Sequence, residues 1–374
     1  MKKIIILICT VLIIGGGVYV IIKRDPPIET KFVQEVGESS EKLEMGNEID
    51  EVGSEKKGVE IKKSGNSALL ENPKHIYQTF NNCGPATLSM ILYWYGKDVS
   101  QNELGDEMRP YQNPEGDNDD KTIFTYEFVD WAKIYGFESI GRVNGDIELL
   151  KTFTTNGIPV VVKTWLHVND DIGHFRIIRG FDESKKVIIQ DDSFEGPNKK
   201  ISYFDFLSMW QPFNYAYIIV YTQEQKDLVS AIIGEEMDEN VAWGNALTKA
   251  KKELELDPEN VYPYFNMSTS YYHLGNFNKS VEEFEQVESQ IPRRMLWYQI
   301  EPIQAYKELG NYARVFQITD NILANGNRAF SELYQLRGEI NIAQGKKEKA
   351  REQFELAILY NQNFEPAKLS LESL

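Results

Sequence analysis

Between residues 158 and 222 the apolar positions fall in four short runs: IPVVVKTWL (158–166), HFRIIRGF (174–181), KVIIQ (186–190) and YAYIIVYT (215–222). They are rich in Val, Ile and aromatic residues, which predicts strands rather than helices. Three segments before the strand-rich region or bordering it repeat their apolar positions at helical spacing: ATLSMILYWY (86–95), TYEFVDWAKIYG (125–136) and DIELLKTFTTNG (146–157). Gly96, Gly136 and Gly157 close them, as C-terminal stops do. Helices followed by antiparallel strands on short turns predict an α+β domain over 69–223.

From about residue 224 the pattern is helical and repetitive. Gly275, Gly310 and Gly345 lie 35 residues apart, each between two helical stretches. Ala305, Ala350, Phe284 and Phe354 fall where paired helices need close approach or an aromatic plug. Over roughly 261–374 this resembles the tetratricopeptide repeat, with a degenerate half repeat (243–256) ahead of it. An all-α array over 224–374 is expected, and the resemblance implies recruitment of a protein partner or peptide substrate.

The N-terminal part reads differently. Ile4 to Ile22 is a mostly apolar run between Lys2–Lys3 and Lys23–Arg24. Residues 1–24 are therefore expected to be a transmembrane signal anchor with the body outside the cytoplasm, or a cleaved signal peptide of a secreted protein. Residues 25–68 hold few large apolar groups and many Glu, Lys, Gly and Ser, which predicts a disordered acidic tether. The formal charge of the 374-residue chain is −17, which argues against a nucleic-acid partner. There are two cysteines, Cys9 in the apolar run and Cys83, so the body has no disulfide framework. No CxxC or HExxH motif is present, and neither a metal nor a cofactor is expected.

Cys83 opens a helix in the stretch QTFNNCGPATLSMILYWYG (78–96). Pro85 suits the first turn, and the helix start favours the thiolate. A small buried cysteine is the structural alternative. A nucleophilic thiol needs a base, and the histidines are His75, His167, His174 and His273. His174 begins a strand whose hairpin partner ends at Asp191–Asp192, so a carboxylate falls near the same end and can orient the imidazole. His167 has no such returning partner. The Cys83 N–H and the Gln78 amide are candidate oxyanion donors. The acidic stretch PEGDNDDKT (114–122) reads as a solvated loop, with calcium binding the alternative.

Gln78, NNCGPATLSMILYWYG, GHFRIIRGFD and VIIQDDSFEG together resemble the bacteriocin-processing, double-glycine peptidases within the papain-like cysteine peptidases, and more closely their stand-alone extracellular branch. The resemblance covers about 70–222. It implies a papain-like fold with Cys83 as nucleophile, His174 as base, Asp191 as orienting carboxylate and Gln78 as oxyanion donor. The family commonly places proline after its aspartate, whereas Asp192 follows here, so Asp191 and Asp192 remain rivals. The expected function is an extracytoplasmic cysteine peptidase acting on peptide or protein. The alternatives are a silent peptide-binding scaffold and a thioester-forming amide transferase.

Overall fold

Two strands, β1 (Thr10–Ile14) and β2 (Gly17–Ile21), pair antiparallel with Thr10 opposite Ile21. The computed structural model describes residues 10–14, 17–21, 59–111 and 123–374, in two units, Met1–Lys56 and Lys57–Leu374. In the first unit, two paired strands stand at residues 10–14 and 17–21, within the segment expected to be a membrane-spanning helix. Among the described residues no helix is long and apolar enough to cross a membrane. The rest of the apolar run, the tether up to residue 58 and the acidic stretch 114–122 lie outside the described residues.

The second unit is built on a 7-stranded antiparallel sheet. Its strands are β3 (Ser67–Leu69), β4 (Glu138–Arg142), β5 (Val160–Trp165), β6 (Gly173–Asp182), β7 (Val187–Asp192), β8 (Gly196–Ser202) and β9 (Tyr217–Tyr221). They run in the order β4-β9-β5-β6-β7-β8, with β3 added against β6. Helices α1 (Cys83–Trp94), α2 (Gln101–Met108) and α3 (Thr125–Ile134) cover one face, and α4 (Ile147–Thr155), α5 (Tyr203–Trp210) and α6 (Lys226–Ile233) the other. The alternation of β5 explains its unbroken apolar sequence. Val161 packs with Leu88, Ile91 and Phe128, while Val160 and Val162 pack with Phe153, Phe206 and Trp210.

The tether expected to run to residue 68 is already on this domain at Lys62, whose N–H donates to Asn156 Oδ1 at 2.9 Å. Ser67–Leu69 then pairs with β6, and a Cβ added at Gly180 would stand 2.2 Å from the Ala68 carbonyl oxygen. A backbone atom cannot swing aside, so Gly180→Ala is expected to displace β3 and cost about 1–3 kcal/mol. Urea denaturation checks this; an unchanged midpoint would mean that β3 is not held by this contact.

The remaining helices form the array: α7 (Glu239–Leu256), α8 (Val261–His273), α9 (Phe277–Val287), α10 (Met295–Tyr298), α11 (Glu301–Glu308), α12 (Tyr312–Ala324), α13 (Ser331–Ala343), α14 (Lys347–Tyr360) and α15 (Glu365–Glu372). Gly275, Gly310 and Gly345 end α8, α11 and α13 with φ of +75°, +72° and +73°, the left-handed stop that glycine adopts freely. Asn276 and Asn311 follow two of them and accept from the N–H groups of Lys279 and Arg314, starting the second helix of each pair.

The array packs directly on the first domain. Its apolar core continues into Phe124, Trp165 and Phe213 of the α+β domain. Asn214 Nδ2 donates to the Asn266 carbonyl at 3.2 Å, and Asn266 Nδ2 donates to the Gln211 carbonyl at 2.8 Å. These buried amides pair across the contact, so separating the two parts would leave them unsatisfied.

Candidate active site

Cys83 is the first residue of α1, as its sequence setting predicts. Asn82 precedes it but does not cap the helix with its side chain. That side chain instead donates to Thr79 Oγ1 at 2.7 Å and accepts from Arg109 Nη1 at 2.7 Å. The first N–H groups of any helix lack an intrahelical partner; Pro85 brings none of its own, and no side chain of the N-cap residue takes up the others. A helix start in this state favours an anion beside it.

His174 lies on β6 and is buried, 3% exposed. Its Nε2 lies 2.9 Å from Asp192 Oδ1, and the ring stands near enough to the Cys83 thiol for each group to shift the other's pKa. With Nε2 on the carboxylate, Nδ1 is the nitrogen left to serve the thiol. Asp192 Oδ1 also accepts from the N–H groups of Phe194 and Glu195, at 2.8 and 2.9 Å, and Oδ2 accepts from Arg176 Nε at 2.8 Å. Arg176, likewise buried, donates further to Thr164 Oγ1 and to the Trp165 and Leu166 carbonyls.

The carboxylate that faces His174 is therefore Asp192, and the assignment of Asp191 is corrected. The cause is one residue. At the turn end of the hairpin Gly180 opposes Ile189, but further along Ile178 opposes Gln190, leaving Arg179 as a bulge. A regular ladder continued from Gly180 would put Asp191 opposite Ile178, on the face that His174 and Arg176 share. The bulge shifts the register by one, so that Arg176 opposes Asp192 and Asp191 opposes Ile177. Asp191 turns to the other face, pairs with Arg179 at 2.7 Å and accepts from the Asn72 side chain and from the Asn198 N–H.

These contacts set the charges. Burial raises the Cys83 thiol, but the hydrogen bond and charge of His174, the Phe175 N–H and the Arg109 guanidinium outweigh it and bring the pKa to about 7. Burial lowers His174, and the Asp192 and Cys83 contacts overcome that, raising it above its ordinary value. Asp192 is held well below the usual carboxylate range by His174 and Arg176 against the cost of burial. A lowered thiol beside a raised imidazole is the condition for a thiolate–imidazolium pair. The alkylation rate of Cys83 is expected to be half-maximal near pH 7 and to level off about one pH unit above it, whereas a free thiol near 8.5 would still be rising there. A rate still climbing at pH 9 would contradict this.

Gln78 is also brought to the site. Its N–H donates to the Ser193 carbonyl, and its Oε1 accepts from Ser193 Oγ, both at 2.8 Å. With the oxygen so held, the Nε2 donors are the end left for a ligand. Gln78, Cys83, His174 and Arg109 line a cavity of about 570 Å³, closed partly by Arg294, Trp297 and Tyr298 of the array. The other histidines lie elsewhere. His75 packs edge-on against Tyr77, exposed His167 contacts Asp170 and Glu195, and His273 stacks on Trp243.

Arg109, Arg176, Ser193 and Asn82 were not singled out by sequence. Only Arg176 carried a signal, as a charge two residues along a buried strand from His174, and hence on its face.

Residues 70–218 match the Peptidase_C39 like family, and residues 261–293 and 331–364 match the tetratricopeptide repeat. Among solved structures, a C39-like peptidase from Bacillus anthracis is 17% identical over 42% of this chain and 98% of its own, with a TM-score of 0.35. The peptidase domain of Streptococcus ComA, a bifunctional ABC transporter of a quorum-sensing pathway, is 19% identical over 40% of this chain and 97% of its own, with a TM-score of 0.32. A tetratricopeptide repeat protein from Parabacteroides merdae is 24% identical over 40% of this chain and 57% of its own, with a TM-score of 0.30. No curated protein matches the chain. Residues 70–218 thus form a Peptidase_C39-like domain, in a chain that continues into tetratricopeptide repeats.

Proposed function

We propose that the chain is a cysteine peptidase whose helical array recruits a protein partner or the substrate itself. The observation that carries this is half-buried Cys83 beside the buried pair His174–Asp192, with a thiol pKa of about 7 at a helix start without a side-chain cap. A non-catalytic domain has no physical need to lower that thiol against the cost of its burial.

In this reading the Cys83 thiolate attacks the carbonyl carbon of a peptide bond. The oxyanion forms between the Cys83 N–H and the Gln78 amide, with the Arg109 charge nearby. His174 Nδ1 then gives its proton to the leaving amine, the C–N bond breaks, and a thioester remains. His174 takes a proton from water, which attacks the thioester and returns Cys83 as thiolate. Asp192 keeps the imidazole oriented and steadies its charge throughout.

A cleft of about 1210 Å³ between α3 and the array supports the recruiting role. Lys163 and Tyr298 line both this cleft and the catalytic cavity. Glu127 and Asp130 face it from α3, and Glu301, Glu332 and Glu339 from the array, a charge that favours a basic segment. We place the protein outside the cytoplasm, on the support of the apolar Ile4–Ile22 run read as a signal segment behind a very short N-terminal tail.

The test is incubation of the full chain with a peptide library, products read by mass spectrometry, beside Cys83→Ala. Cleavage by the wild type alone is expected. No Cys83-dependent product would remove the peptidase reading, and amine-capped products in added amine would redirect it to transamidation.

A further inference from the structure

The array breaks its own rule at one place. Adding its 35-residue period to α8 (Val261–His273) gives 296–308 and then 331–343, and α13 is Ser331–Ala343. The first helix of the middle pair should span 296–308. It is instead two pieces, α10 and α11, separated by extended Gln299 with φ −145° and ψ 106°. Pro302 provides the local reason, since it lacks the N–H that would bond the residue 298 carbonyl and its ring crowds that carbonyl.

The displaced piece reaches the catalytic cavity. Tyr298 lies against Gly173, the neighbour of His174, so closely that a Cβ there would stand 2.8 Å from its ring. Trp165 and Phe213 brace the Tyr298 ring at 5.8 and 6.0 Å between centroids, and Lys163 Nζ sits 5.0 Å from its centre. Arg294 is ion-paired with Asp171, in the loop that leads into His174. Trp297 is 5% exposed yet lines the cavity. Across the mouth stand Phe80, Ile172 and Phe194, which are 55%, 42% and 58% exposed. No carboxylate is among the described residues lining this cavity.

We propose that the array supplies one wall of the substrate subsite beside Cys83, and that Trp297 and Tyr298 determine specificity there for a bulky apolar side chain next to the scissile bond. The subsite buries that side chain between an aromatic wall from α10 and the apolar rim of the α+β domain. It disfavours a lysine or arginine side chain, because the charges lining it are those of Arg109, Arg294 and Lys163. The array is then a part of the enzyme's specificity as well as a recruiting surface. The substrate class rests on the peptidase reading, whereas the wall itself does not.

The test uses the full chain and two electrophiles, iodoacetamide and its N-benzyl derivative, with Cys83 alkylation followed by mass spectrometry of its peptide. The wild type is expected to favour the benzyl reagent relative to free cysteine. Trp297→Ala and Tyr298→Leu are expected to reduce that preference about fivefold or more, with the iodoacetamide rate nearly unchanged. In parallel, peptides differing only in the side chain flanking the cleaved bond should show a raised KM for the apolar member and little change in kcat. An unmoved benzyl preference in both variants overturns the proposal. If Trp297→Ala also slows iodoacetamide, Trp297→Leu decides by the same ratio, and an unmoved ratio there overturns it too. A shifted ratio in a protein that cleaves no peptide would uphold the wall and remove the peptidase reading alone.

Discussion

His174→Ala is expected to lower peptide cleavage at least about 10³-fold and to move the thiol pKa upward. The two effects share an origin. His174 contributes a hydrogen bond and a charge that lower the Cys83 pKa, while burial raises it. Without the imidazole, the Phe175 N–H and Arg109 remain as opposing influences. The sign is therefore fixed: at neutral pH the variant carries less thiolate, and its alkylation rate keeps rising where the wild type has levelled. Proton delivery to the leaving amine is lost as well, so raising the pH restores alkylation but not turnover. Measuring both rates from pH 5 to 10 separates these contributions. Parallel recovery of turnover with thiolate would mean that His174 only lowers the thiol pKa.

Asp192→Ala is expected to be the more damaging change to the fold. Asp192 is fully buried and accepts from His174, Arg176 and two backbone N–H groups. Its removal leaves the buried Arg176 charge without its carboxylate, which costs about 3–5 kcal/mol. Asp192→Asn keeps the shape and serves as the readable variant. It is expected to lower cleavage roughly 10²–10⁴-fold, because the amide fixes the imidazole orientation less well and gives no charge to steady the imidazolium. Asp191→Asn is the contrast. Asp191 pairs with Arg179 on the opposite face, so this change should lower the denaturation midpoint while turnover per folded molecule stays close to wild type. A large loss of turnover in Asp191→Asn with none in Asp192→Asn would reverse the assignment.

The pH dependence of stability follows the same contacts. Asp192 is depressed in the folded state, so its contribution is full above the unfolded carboxylate range and is lost as the pH falls through the folded value. His174 is raised, and its contribution is full below an unfolded value near 6.5 and fades as the pH rises through the folded one. Acid unfolding is thus expected to steepen in Asp192-containing protein relative to Asp192→Asn, and pH-jump denaturation reads this directly.

Much of this was legible in the residues themselves because it is local. The helix ahead of Gly96, the left-handed stops at Gly275, Gly310 and Gly345, and the continuous apolar run of β5 each depend on near neighbours in the chain. The placing of Cys83 at a helix start needed only Pro85 and the apolar period after it. His174 was legible as the opening of a hairpin whose partner ends in carboxylates. Short or polar elements were not legible: α2, β8 and β3 carry too few apolar residues to set a period, and β3 exists through its pairing with β6.

Where pairs of distant residues meet is set by the three-dimensional packing. A hairpin read from its turn assigns Asp191 to His174, and a single bulged residue at Arg179 transfers that place to Asp192, since side chains alternate between faces along a strand. The Arg109 charge reaches Cys83 from the end of α2, and Ser193 orients Gln78 across the domain. The wall of the cavity comes from more than 200 positions downstream of the cysteine it faces, at a helix broken by proline. Periodicity reports which face of an element is apolar; it carries no information on which other element that face will meet.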